Sequence, residues 1–123
     1  QLIENVQSSN LALLSQSSPN EFGTPISKST ADGLRQMMIA AVKNGVSTNG
    51  QVSGTVVAGK TGTAQNGGNN PYTLWFTGFA PADNPRVAVA VMVANGGGMG
   101  QGGSGNLLAA PIARAVIKAV LAQ

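Results

Sequence analysis

The sequence predicts an α+β fold, an antiparallel sheet with packed helices. Three observations carry this. Runs rich in β-branched and aromatic residues lie at about 55–65, 73–80 and 86–95, joined by links at 66–72 and 81–85. Links this short, made of Gly, Asn and Pro, suit an antiparallel meander, because parallel pairing needs a crossover of about a dozen residues or more. A helical repeat precedes the three runs, and a second helical segment at about 108–121 follows them.

Taken in order, residues 1–18 read as two short strands. Leu2, Ile3 and Val6 lead into the turn-forming Ser8-Ser9-Asn10, and 11–14 is a second apolar piece. Residues 19–24 are a loop. Ser29 is the expected cap of the first helix, with Asp32 three residues on in a box-like arrangement. Leu34, Met37, Met38, Ala41 and Val42 then fall at i, i+3, i+4, i+7 and i+8 and make one apolar face. Asn44-Gly45 should end the helix with a left-handed turn. Residues 47–54 are polar and expected to be flexible.

In the sheet, period-2 geometry puts Trp75 and Phe76 on opposite faces. Trp75, Phe76 and Phe79 are read as core, and Met37 and Met38 as core filler. Val87, Val89, Val91 and Val93 share one face of the last strand; Ala88, Ala90, Met92 and Ala94 share the other. Both faces are apolar, so both should be covered. The stretch 96–105 holds seven glycines and reads as a mobile loop. In the final helix Pro111 fits only the first turn, and Ile112, Ala115, Val116, Ala119 and Val120 form the expected buried face.

Composition narrows the function. A chain of 123 residues supports one small domain. It is 42% hydrophobic and only 9% charged, which suggests a surface partly covered by a partner. The net charge of +3 is scattered singly along the chain, so nucleic acid is not an expected partner. With neither cysteine nor histidine, disulfides, Cys/His zinc sites and a Ser-His-Asp triad are excluded within this chain. No apolar run reaches transmembrane length, and no segment of this chain reads as a signal peptide. The chain begins at Gln1 without a methionine, so its start is expected to be internal to a longer gene product.

The candidate site is Lys60-Thr61-Gly62-Thr63, which continues the β-branched run Thr55-Val56-Val57-Ala58-Gly59. A lysine, two hydroxyls and a glycine on one strand make an anion-recognition edge. The lysine supplies charge, hydroxyls and backbone N–H groups supply directed donors, and Gly62 lets a ligand approach the backbone. The bland alternative for Lys60 is a solvated lysine at a strand end. Residues 54–61 also fit the pattern G-x-x-x-x-G-K-[ST] of a phosphate-binding loop. That motif needs a strand before the first glycine and a helix opening at the lysine. Here the strand is the spacer itself, and Gly62, Gly67, Gly68 and Pro71 follow the lysine, so the phosphate loop is rejected.

A Lys-Thr-Gly strand is a signature of penicillin-binding proteins and serine β-lactamases. It is followed by Trp75-Phe76-Thr77-Gly78-Phe79-Ala80-Pro81, a valine-rich strand and an Ala109-Ala110-Pro111-Ile112 helix. In that order the chain resembles the C-terminal part of the transpeptidase domain of class B penicillin-binding proteins, with details similar to the actinobacterial penicillin-binding protein A group. The resemblance spans 1–123 and is specific over about 54–116. It implies that 1–123 is an incomplete C-terminal portion of one transpeptidase domain.

The implied reaction is D,D-transpeptidation. A serine attacks the D-Ala-D-Ala bond of a peptidoglycan stem peptide, D-Ala leaves, and an amine of a neighbouring stem resolves the acyl-enzyme. β-Lactams are trapped as acyl-enzymes, and no cofactor is needed. By the same resemblance Lys60 and Thr63 are catalytic, and Lys60, Thr61, Gly62 and Thr63 bind substrate. Lys60 sets the electrostatics and contacts the serine of the family's second motif. Thr61 and Thr63 bind the terminal carboxylate, and the Thr63 N–H is one of two oxyanion donors. The implied location is the extracytoplasmic face of the bacterial cell membrane, anchored by a segment outside this chain. The implied partners are the upstream part of the same protein and other proteins of cell-wall synthesis.

The departures from the family pattern matter. No Ser-x-x-Lys occurs: Pro25, Ala40, Val57 and Ala115 stand three before the four lysines. Ser-x-Asn occurs at Ser8-Asn10, Ser18-Asn20, Ser47-Asn49 and Ser104-Asn106, and all four read as turns. This chain alone is therefore expected not to acylate. Tyr72 and residues 66–71 are candidates for a cleft wall. The alternatives are a D,D-carboxypeptidase, a serine β-lactamase or a β-lactam sensor of the same fold, or a non-enzymatic module that binds an anionic peptide terminus.

Overall fold

The computed structural model describes residues 5–16 and 23–123. The expected strand start at Leu2 and Ile3, the turn at Ser18-Asn20 and the first part of the 19–24 loop lie outside them. Strands β1 (Asn5–Gln7) and β2 (Leu13–Gln16) pair antiparallel as a hairpin separate from the main sheet. Its turn closes through the Leu11 N–H, which donates to the Ser8 carbonyl at 2.9 Å, as the polar triplet Ser8-Ser9-Asn10 suggested.

Helix α1 spans Lys28–Lys43. Its cap is Ser27 and not Ser29: the Ser27 hydroxyl accepts from the Thr30 N–H at 3.1 Å. With the helix starting earlier, Asp32 falls in its second turn. It is held there by Lys28 at 2.5 Å and Arg35 at 3.2 Å instead of serving a capping box. The C-terminus also differs from expectation. Asn44 has φ −137° and is not left-handed. The last carbonyls are satisfied from further along the chain: Gln51 Nε2 donates to the carbonyls of Val42 and Lys43, both at 2.9 Å. A side chain thus does what a left-handed glycine turn does elsewhere.

Strands β3 (Ala58–Ala64), β4 (Thr73–Ala80) and β5 (Val87–Val93) form the predicted antiparallel meander in the order β3-β4-β5. Helix α2 spans Ala110–Leu121, with Pro111 in its first turn. Both helices pack on one face of the sheet. Val42 of α1, Val57, Ala80 of β4 and Ile117 of α2 meet in one cluster. Phe76 meets Ala109, Ala110 and Ala113 in another, with Val89, Val91 and Val93 against it. Burying the Phe76 side chain fully contributes about 1.5–3 kcal/mol.

The face that α2 buries is not the expected one. Ala110, Ala113 and Ile117 point inward, whereas Ile112 is 48% exposed and Val116 is 41% exposed. This helix is apolar nearly all round, so several stripes fit a helical repeat. Close approach to the Phe76 ring selects the stripe with small residues. In α1, Val42 is buried and Met38 partly so, but Leu34 and Met37 are exposed. Met37 is therefore not core filler. The opposite face of the sheet is likewise open among the described residues. It carries Trp75, Thr77, Ala88, Ala90 and Met92, all exposed, which corrects the placing of Trp75 in the core of this chain; the expected cover for this face of β5 is not among the described residues.

Two segments expected to be flexible or mobile are tied down. Residues 47–54 contain a single 3₁₀ turn at Thr48–Gly50, and Ser47 and Gly50 are buried. The glycine-rich stretch folds back on the start of β4. The Gly96 N–H donates to the Tyr72 carbonyl at 2.6 Å, and the Tyr72 N–H to the Gly100 carbonyl at 3.2 Å. Asn95, Gly96 and Gly97 take φ of 53°, 60° and 59° in succession, a left-handed run that asparagine tolerates and glycine adopts freely.

Candidate functional site

Strand β3 forms one edge of the three-stranded sheet, and the motif occupies its middle. Register fixes which way each residue faces. Lys60 lies opposite Thr77, which pairs on to Ala90; Gly62 lies opposite Trp75, which pairs on to Met92. Thr61 and Thr63 lie opposite Phe76 and Leu74. Lys60 and Gly62 therefore face the open side of the sheet, and Thr61 and Thr63 face the helices.

The Lys60 ammonium is exposed and donates to the Thr61 carbonyl at 2.7 Å. The Thr61 N–H donates to the Ser47 hydroxyl at 3.1 Å, and the two hydroxyls are 3.2 Å apart. The Thr61 hydroxyl also reaches the Val46 carbonyl at 3.4 Å. The Thr63 hydroxyl accepts from the Gly105 N–H at 3.3 Å. Since the Thr61 N–H points away from β4 toward Ser47, the two-residue repeat of a strand sends the Thr63 N–H to that same edge. No further strand of the described residues pairs there.

A concavity of about 320 Å³ opens against this edge, with Lys60, Thr61, Gly62 and Thr63 on one wall and Val46, Ser104, Gly105 and Asn106 on the other. Gly62 is informative because packing does not require it. A Cβ built there would lie 3.4 Å from the Trp75 Cβ, an ordinary contact. Tyr72 and 66–71 do not line this concavity. Asn66 closes their loop on the Pro71 carbonyl at 2.6 Å, and Gln101 ties it to the glycine-rich stretch. A larger apolar groove of about 500 Å³ at the end of α1, between Ile39, Val42, Val52 and Val56, contains no motif residue. Lys60 sits within a strand that leads into no helix, which is not the geometry of a phosphate loop. Among the described residues no group of three His, Cys, Asp or Glu side chains gathers to hold a metal ion.

The sequence reading passed over the second wall. Ser47-x-Asn49 opens a turn, as expected, but Ser104-x-Asn106 does not. The Ser104 hydroxyl accepts from the Leu107 N–H at 3.2 Å and caps a π-helical turn at Gly105–Ala109 that runs into α2, and the two segments join each other. The Asn49 N–H donates to Asn106 Oδ1 at 2.9 Å, and Asn49 Nδ2 donates to the Asn106 carbonyl at 3.0 Å. The repeated tripeptide was the available signal. Nothing local says that two copies 57 positions apart will pair.

The sequence profile of the penicillin-binding protein transpeptidase domain matches residues 1–118. The chain belongs to the penicillin-binding protein transpeptidase family. A transpeptidase-family relative, the peptidoglycan D,D-transpeptidase PbpA of Mycolicibacterium smegmatis, is 38% identical over 99% of this chain and 25% of its own length. Stage V sporulation protein D of Bacillus subtilis is 40% identical over 71% of this chain and 14% of its own. The fold matches the ceftriaxone acyl-enzyme of penicillin-binding protein A from M. tuberculosis with a TM-score of 0.79 at 38% identity, covering 96% of this chain and 27% of that one. The chain thus spans about a quarter of the length of the PbpA relatives it matches.

Proposed function

We propose that the protein carrying this chain is a serine D,D-transpeptidase that cross-links peptidoglycan stem peptides and is acylated by β-lactams. Residues 1–123 are the C-terminal portion of its transpeptidase domain and supply the Lys60-Thr61-Gly62-Thr63 edge. The nucleophilic serine comes from another part of the protein. The protein works at the extracytoplasmic face of the cell membrane alongside other proteins of cell-wall synthesis.

The observation that carries this reading is the free edge of β3, where the Thr63 N–H points outward beside an exposed lysine and a glycine that packing does not require. A carbonyl lying along this edge is polarised by the Thr63 N–H. As the serine adds, charge grows on that oxygen, and a fixed donor gains strength where the charge develops. Lys60 lowers the electrostatic cost of an anionic substrate and of the oxyanion. The absent side chain of Gly62 leaves room for the substrate backbone to lie against the strand. The Thr63 hydroxyl, which accepts from the Gly105 N–H and keeps its own proton, donates to the substrate carboxylate, whereas the Thr61 proton is already given to the Val46 carbonyl.

The test is covalent labelling of the complete protein by a fluorescent penicillin. Lys60→Ala should slow acylation roughly tenfold or more, a loss of at least about 1.4 kcal/mol of transition-state stabilisation. Its melting temperature should barely move, since an exposed side chain with no packing role changes stability by no more than about 0.5 kcal/mol. Wild-type acylation rates in Lys60→Ala would overturn the assignment. So would ATP·Mg²⁺ raising the melting temperature of the wild type but not of the variant.

A further inference from the structure

Ser47 is the one polar residue among the described residues that is completely buried, and the function above gives it no role. It stands where a neighbouring strand would pair with β3. Its backbone is held from both sides: its N–H donates to the Ala41 carbonyl at 3.0 Å, and its carbonyl accepts from the Gly50 N–H at 3.0 Å. The turn that carries it is locked to the start of the α2 region by the two bonds that Asn49 donates to Asn106. That same region reaches β3 through the Gly105 N–H and the Thr63 hydroxyl. The motif strand is therefore gripped at Thr61 and at Thr63 by two turns that also grip each other.

The proton count at Ser47 closes. Its oxygen accepts the Thr61 N–H, its own proton goes to the Thr61 hydroxyl, and that hydroxyl donates to the Val46 carbonyl. One edge N–H is thereby occupied while the next, on Thr63, stays open. We infer that Ser47 is a positioning residue for acyl transfer: it satisfies the Thr61 N–H and fixes the height of the strand, so that the Thr63 N–H alone presents to the reacting carbonyl. This rests on the transpeptidase reading above. A misplacement of about 1 Å at a reacting centre costs on the order of a hundredfold in rate, so a clasp that sets strand height acts on the chemical step more than on binding.

The experiment uses the complete protein and separates the initial binding of a fluorescent penicillin from the rate of acylation per active molecule. Ser47→Ala is expected to slow acylation by about ten- to a hundredfold while initial binding changes by less than about threefold. Ser47→Cys, close in volume but a weak acceptor, should fall between and guards against a failure of the alanine variant to fold. Ile117→Ala serves as a control. It removes a buried side chain remote from the motif, so it should lower the melting temperature yet leave acylation per active molecule unchanged. Amide exchange at Thr61 should speed up in Ser47→Ala and not in Ile117→Ala.

Unchanged acylation per active molecule in both Ser47 variants would overturn the positioning role. So would Ile117→Ala slowing acylation as much as they do, because stability loss alone would then explain the effect. A wild type that takes no label would overturn the transpeptidase reading itself, and the positioning role with it. Faster Thr61 exchange in Ser47→Ala would in that case leave the clasp as a feature of the fold alone.

Discussion

Gly59→Ala tests how the motif strand is seated. A Cβ at position 59 would lie 2.5 Å from Phe76 Cζ and 3.1 Å from its Cε2. Carbon atoms prefer about 3.5–4.0 Å, so the ring would have to move by about 1 Å. It has nowhere to go: Ala109, Ala110 and Ala113 pack against it, and Gly50 and Gly78 leave no slack, since a Cβ on either would also come within 2.9 Å of the ring. Overpacking a rigid core costs about 1–3 kcal/mol. Gly→Ala at a position without a left-handed backbone returns about 0.4–1 kcal/mol through the unfolded state. With a contact this short the net loss should be about 2 kcal/mol. The assay is urea denaturation of the complete protein, with penicillin acylation measured alongside. Adding Phe76→Leu should recover part of the loss, a coupling of about 0.5–3 kcal/mol. Gly62→Ala is the contrast. It meets only an ordinary contact, so stability should change by less than about 0.5 kcal/mol, while acylation falls because the new methyl group faces the ligand. A wild-type midpoint in Gly59→Ala, or Gly62→Ala that loses stability but acylates normally, would refute the argument.

Two further predictions follow from the hydrogen bonds. Thr63→Val removes the acceptor of the Gly105 N–H and should cost about 1 kcal/mol; its acylation should fall by less than the 10²–10³ expected for losing an oxyanion donor, because the backbone N–H remains. Thermal melts and labelling rates check both, and a loss as large as that of a missing donor would contradict the assigned roles. At Asp32, the hydrogen bond from Lys28, helped by the charges of Lys28 and Arg35, holds the carboxyl below its usual value against an opposing effect of desolvation. A depressed carboxyl contributes stability that is present above its unfolded pKa of about 3.9 and is lost as pH falls through the lower folded value. The stability gap between wild type and Asp32→Asn should therefore be present at pH 6, close as pH drops below about 4, and shrink in high salt; a gap that widens on acidification would reverse the sign.

Most of the architecture was legible because it is local. The meander follows from short links, and the facing of Trp75 and Phe76 from a repeat of two. The motif was legible because Lys60, Thr61, Gly62 and Thr63 are contiguous. What escaped were choices settled by distant partners. Ser29 is the cap the sequence suggests, but Ser27, two residues earlier, is the one whose hydroxyl meets a helix N–H. The stripe of α2 that turns inward is picked by the Phe76 ring. The segment at 47–54 looks like polar linker until Asn106 binds Asn49 and Thr61 finds Ser47. Polarity at these positions means hydrogen bonds made inside the molecule, and no window of the sequence holds both ends of them.

An edge strand whose N–H and C=O groups lie open is also a template on which a strand from another molecule can grow, the first step toward aggregation. Such edges are blunted by lysines and by interruptions in the ladder. Strand β3 has both, with Lys60 in its middle and the Ser47 hydroxyl plugging the Thr61 N–H. A second strand arriving there would find its ladder broken after one rung and a charged side chain beside it. The edge that the proposed reaction keeps open for one short peptide is thus closed to sheets.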